Sequence, residues 1–61
     1  MTVNLYKIQR KVNGIWRDLD EYRRLNYGQA QENLRTLRSI NRGLGNKYRV
    51  QVEYQIKVSD Q

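Results

Sequence analysis

The sequence predicts an α+β domain of order ββαβ: a three-stranded antiparallel sheet in spatial order 2-1-3, with one helix packed on one face. Three observations predict it. Tyr48 to Val58 alternates strictly, with Tyr48, Val50, Val52, Tyr54, Ile56 and Val58 on one parity and Arg49, Gln51, Glu53, Gln55 and Lys57 on the other. Successive strand side chains point to opposite faces, so this is a strand with one apolar and one polar face. Asn13-Gly14 stands between two strand-like runs and is the strongest short hairpin signal, because a type I′ turn needs positive φ at both central residues. From Tyr27 to Arg42 the apolar residues fall at helical spacing instead.

The first strand is expected over Val3 to Val12. Its apolar residues occupy both parities, Val3 and Leu5 on one and Tyr6, Ile8 and Val12 on the other, which suits a strand partly covered on both faces. The return strand is Ile15 to Tyr22. A two-residue turn sets Val12 against Ile15, Lys11 against Trp16, Arg10 against Arg17, Gln9 against Asp18, Ile8 against Leu19, Lys7 against Asp20, Tyr6 against Glu21 and Leu5 against Tyr22. Lys7–Asp20 is favourable, whereas Arg10–Arg17 juxtaposes like charges. That pair marks either a defect of register or a place for an anion.

Asn26 reads as the helix N-cap, with Gln29 completing a capping box. Glu32 near the start and Arg38 and Arg42 near the end match the helix dipole. Ala30, Leu34, Leu37 and Ile40 or Asn41 form the buried stripe, and Gly43 is the natural residue to end the helix. A parallel neighbour would need a right-handed crossover. Placing the first strand in the middle makes every neighbouring pair antiparallel. The inner layer is then Ile8, Leu19, Val50, Val52, Tyr54, Ala30, Leu34 and Leu37.

Sixty-one residues make one domain, residues 1–61, of marginal stability. The chain holds no Cys and no His, which removes disulfides, the common zinc ligands and the usual general base. Asp18 and Asp20 share a strand face, but two carboxylates with basic neighbours make a poor Mg²⁺ cage. Gly43-Leu44-Gly45 lacks the following helix of a dinucleotide fingerprint. The expectation is therefore a non-enzymatic chain without metal or cofactor. No apolar run approaches the ~20 residues of a membrane span. The first residues lack the apolar core of a signal peptide. The absence of Cys suits the cytoplasm.

Twelve Lys and Arg against six Asp and Glu give a formal charge of +6 and a pI near 10.1, and eight of the twelve are Arg. Such a balance calls for an anionic partner. Three surfaces offer themselves. A basic strip joins Arg35, Arg38 and Arg42 on one helix face to Arg23 and Arg24 before it and Lys47 and Arg49 after it. The open sheet face carries Lys7, Lys11, Trp16 and Tyr22, with Arg49 and Lys57 beside them. Aromatics among cations there suit stacked single-stranded nucleic acid or a protein interface, or Trp16 simply covers the hairpin end. The last strand lies on the sheet edge, where Glu53, Tyr54, Ile56, Lys57 and Val58 offer backbone for pairing, including with a second copy.

Trp16 after the turn, Tyr22 before the helix, Ala30, Leu34 and Leu37 on it, then Gly43 or Gly45 and Tyr48-Arg49-Val50, resemble the pattern of very short phage and prophage accessory proteins. The resemblance covers about Leu5 to Val52. It implies a non-enzymatic accessory or inhibitor that docks on a host protein or nucleoprotein in the host cytoplasm. Two alternatives stand beside it: direct nucleic-acid binding through Arg and Lys with stacking on Trp16 and Tyr22, and a small structural homodimer in a larger assembly.

Overall fold

In the computed structural model, which describes residues 1–42 and 47–58, the elements are β1 (Thr2–Val12), β2 (Ile15–Asp18), α1 (Tyr27–Ile40) and β3 (Tyr48–Lys57). The sheet order is β2-β1-β3 and both pairings are antiparallel, as expected. Asn13 and Gly14 take φ of 52° and 80°. Both central residues of the hairpin turn are thus left-handed, which Asn tolerates and Gly adopts freely. The turn fixes the register: Val12 pairs with Ile15, Lys11 with Trp16, Arg10 with Arg17 and Gln9 with Asp18.

Beyond Asp18 the structure departs from the expected return strand to Tyr22. Leu19 N–H donates to Ile8 C=O at 3.1 Å, Tyr22 N–H donates to Leu19 C=O at 3.0 Å, and Ile8 N–H donates to Tyr22 C=O at 3.0 Å. Leu19–Tyr22 is therefore a turn held by both ends on Ile8. Asp20 is a poor strand former and a good turn former, and the turn keeps the Asp20 and Glu21 carboxylates exposed. The expected pairs Lys7–Asp20, Tyr6–Glu21 and Leu5–Tyr22 do not form. Tyr6 instead exchanges two backbone hydrogen bonds with Leu25, at 2.7 and 2.9 Å.

Helix α1 starts where the capping box places it. Asn26 Oδ1 accepts from Gln29 N–H at 2.8 Å, and Gln29 Oε1 accepts from Asn26 N–H at 3.2 Å. Together these satisfy donors that a helix start leaves open. The first turn holds no acidic residue and the last holds Arg38, so Glu32 lies too far along to serve the dipole. The helix ends at Ile40, two residues before Arg42, and the expected stop at Gly43 lies outside the described residues. Ile40 is exposed. Asn41 takes the stripe position, its Nδ2 donating to Leu37 C=O at 2.9 Å.

Ile8, Leu34 and Tyr48 make the core, ringed by half-buried Leu19, Tyr22, Leu25, Leu37 and Val50; Ala30 is also buried. Two members expected in that layer, Val52 and Tyr54, are 46% and 43% exposed. Val52 keeps the α1 side on the sheet-edge strand; for Tyr54 the reason lies in the β1–β3 register. Arg10 pairs with Tyr48, Ile8 with Val50 and Tyr6 with Val52, but Leu5 pairs with Tyr54 and Val3 with Ile56. Between Leu5 and Tyr6 the register shifts by one residue, leaving Glu53 as the extra residue of a β-bulge. A one-residue shift reverses the faces of everything beyond it. Tyr48, Val50 and Val52 share the α1 side with Ile8. Tyr54 and Ile56 lie on the opposite face with Leu5 and Val3, and Gln55 and Lys57 move to the α1 side. The mixed parity of β1 and the bulge in β3 are thus two halves of one device: both strands change their apolar face at the same level.

Candidate partner-binding surfaces

The bulge puts Glu53 to use within the fold. Its carboxylate accepts from Arg23 Nε at 2.7 Å and from Arg24 N–H at 2.8 Å. Its side chain is only 4% exposed. Desolvation pushes the Glu53 carboxyl up, but the Arg24 N–H and the Arg23 guanidinium outweigh this and hold it below the ordinary carboxylate range. Arg24 adopts φ of 55°, which aims its N–H at the carboxylate. Arg23 and Glu53, expected in the docking surface and in edge pairing respectively, are therefore committed to each other.

On the sheet face opposite α1, side chains from all three strands form a connected ladder. The Arg49 guanidinium carbon lies 4.3 Å from the centre of the Trp16 ring, and Arg49 Nε donates to Gln9 Oε1 at 2.8 Å. Gln9 Nε2 donates to Asp18 Oδ1 at 2.7 Å, and Lys7 Nζ donates to Asp18 Oδ2 at 3.1 Å. Gln9 first, and Lys7 second, hold the Asp18 carboxyl below its usual value. Lys11 Nζ approaches the Trp16 ring at 5.8 Å. Trp16 is half-buried beneath cations, which attract the face of its ring. Lys7 is neutralised by Asp18. Tyr22 is not on this face at all; it packs beside the core, because the Leu19–Tyr22 turn replaces the strand that would have carried it across.

The expected basic strip is also divided. Arg49 lies on the far side of the sheet from α1. Arg38 Nη2 donates to Tyr48 C=O at 3.3 Å, tying α1 to β3. Arg35, Arg42 and Lys47 remain exposed. Lys11 N–H donates to Lys47 C=O at 2.9 Å, which brings Lys47 to the hairpin. Arg10 and Arg17 stand directly opposite each other on the α1 side, both exposed and without a carboxylate within ion-pair distance among the described residues. Beside them runs an open groove of about 380 Å³ lined by Arg10, Leu19, Asp20, Glu21, Tyr22, Leu37 and Tyr48. The hairpin register already exposed the Arg10–Arg17 pair in the sequence. What it could not show was the groove, which depends on the turn at Leu19–Tyr22.

Among the described residues, no three His, Cys, Asp or Glu side chains converge as metal ligands, and no helix is long and apolar enough to cross a membrane. Comparison with protein families, curated proteins and solved structures gives no match to this chain.

Proposed function

We propose that this chain is a non-enzymatic binding module, of the phage accessory kind its pattern resembles, which docks its cationic end on an anionic surface of a protein or nucleoprotein partner. The observation that carries this reading is the Arg10–Arg17 pair. Like charges directly across an antiparallel pair oppose folding, and among the described residues no carboxylate forms an ion pair with either. Two guanidinium forks at that spacing suit carboxylate or phosphate groups. Arg42 and Lys47 extend the same end. The neighbouring groove mixes Arg10 with Asp20 and Glu21 and two tyrosines, which suits the mixed chemistry of a protein surface better than a uniform phosphate backbone. Stacking of bases on Trp16 has less support, since Arg49 already lies over its ring.

The test is capture from host lysate with and without nuclease, using the wild-type chain and the double variant Arg10→Glu/Arg17→Glu. The double reversal should weaken capture at least about tenfold, as expected for charge pairs turned repulsive at an interface. Retention that survives nuclease supports a protein partner, and retention that disappears supports nucleic acid. Capture unaffected by the double reversal would sink the cationic-end reading.

A further inference from the structure

We propose that the sheet face opposite α1, over the ribbon formed by Thr2–Leu5 and Tyr54–Lys57, is a self-association site on which a second copy of this chain lays the same face about a two-fold axis. Val3 pairs with Ile56 and Leu5 with Tyr54. The ladder continues beyond the named strands, where Val58 N–H donates to Met1 C=O at 2.8 Å. Alternation places Met1, Val3, Leu5, Tyr54, Ile56 and Val58 on one face, as two columns of three apolar side chains. No charged side chain interrupts them, because Thr2, Asn4, Gln55 and Lys57 point the other way. Val3, Tyr54, Ile56 and Val58 are 38–46% exposed.

A two-stranded ribbon is marginal in water without something packed on its apolar face. Here α1 covers the other half of the sheet on the other side. The charge distribution says what fits. At +6, two copies repel wherever their cations meet, and an acidic partner is drawn to the arginine-rich end rather than to the apolar plaque, where the Met1 ammonium lies at one end and donates to Val58 C=O. The molecule is 49 Å long, and the Arg10–Arg17 pair lies at the opposite end of β1 from Val3. Plaque-to-plaque contact about a two-fold axis leaves both cationic ends pointing outward, well beyond the ~8 Å over which salt screens charge at physiological strength. An apolar face seeks another, and a second copy supplies one of the same shape, packing sheet on sheet at about 10 Å. The plaque presents six side chains against the roughly 20–30 residues a side of a standard interface, which places the dimer among weak, reversible ones.

Sedimentation velocity of the whole chain from about 1 to 500 μM, the range of weak, reversible dimers, should show conversion from monomer to dimer. Added NaCl should leave it unchanged or strengthen it, since salt screens the repulsion between copies and does not weaken apolar packing. Ile56→Lys should weaken association at least about 100-fold by placing an unpaired charge in the contact. Ile56→Thr keeps a β-branched strand former and should weaken it about tenfold by exchanging a methyl-rich side chain for a hydroxyl. Far-UV circular dichroism and Trp16 fluorescence identify a variant that fails to fold, and the Thr variant then decides. A monomer at every concentration, dissociation by salt, or undiminished association of folded Ile56 variants would overturn the proposal. Arg10→Glu/Arg17→Glu should leave dimerisation intact, so the two readings fail independently.

Discussion

Glu53 is the residue on which most of the molecule's particulars turn. It is the extra residue of the β3 bulge, its side chain is covered, and its two partners come from the segment leading into α1. Its folded carboxyl sits below the ordinary value of 4.5, so the protonated form favours the unfolded chain. The stability this contributes is present above about pH 4.5 and is lost as pH falls through the lower folded value. Asp18, depressed below 3.8 by Gln9 and Lys7, acts in the same direction slightly further down. The urea midpoint should therefore fall as the solution is acidified below the ordinary carboxylate range. Glu53→Gln should lower the midpoint at pH 7 while flattening that acid dependence. Midpoint curves for wild type and variant that ran parallel from neutral to acid pH would show that the Arg23–Glu53 contact does not contribute. Arg24 serves through its N–H, not its side chain, and no residue pattern announces that in advance.

At the scale of elements, α1 contributes few buried atoms, and Leu34 carries much of the contact with Ile8 and Tyr48. Leu34→Ala should cost about 2–5 kcal/mol, as buried leucine truncations do. In a 61-residue chain that is enough to shift most molecules to the unfolded state. Thermal denaturation followed by circular dichroism would show it as a broad or absent transition; a shift of only a few degrees would mean that the helix is dispensable to the sheet. Asn13-Gly14 and the Asn26–Gln29 box make the hairpin and the helix start legible in the sequence, because both act through local geometry that two or three residues determine. The end of β2 and the face of Tyr54 were not legible. Strict alternation through Tyr48–Val58 describes one amphipathic strand only if pairing is continuous. The bulge depends on Arg23 and Arg24 reaching Glu53 from 30 and 29 residues away, which periodicity cannot register. The mixed parity of Val3 and Leu5 against Tyr6 and Ile8 was the trace it left in β1.

For the whole molecule, the sheet has a basic end and an apolar end, with the helix covering the middle of one face. The basic strip drawn from residue types alone gathered seven side chains. Folding reassigns Arg23 to Glu53, Arg38 to the Tyr48 carbonyl and Arg49 to Trp16, while Arg10 and Arg17, outside that strip, stand exposed and directly paired. Which cations remain for a partner depends on which have been taken by the fold, and that is a property of three-dimensional pairing rather than of composition. A protein of this size thus keeps two surfaces of different chemistry apart by placing them at opposite ends and on opposite faces of one sheet.

The bulge has a consequence for inheritance. Substitutions along β3 leave its side chains on the faces they now occupy, whereas a change of length does so only while Tyr54 stays opposite Leu5. Losing Glu53 alone would remove the bulge and leave Tyr54 opposite Leu5 and Ile56 opposite Val3 on their present face; losing a second residue between Arg49 and Tyr54 would carry Tyr54 to the place opposite Tyr6, turn the Tyr54–Ile56 columns toward the α1 side and present Gln55 and Lys57 in their place. Deletions in β3 should accordingly keep self-association when Glu53 alone is removed and abolish it when a second residue between Arg49 and Tyr54 is removed with it, measured by the same sedimentation assay. Equal loss in both would indicate damage to the fold rather than a change of phase. Chains that lack two residues here would present different surfaces to their surroundings, whereas chains that lack Glu53 alone would not.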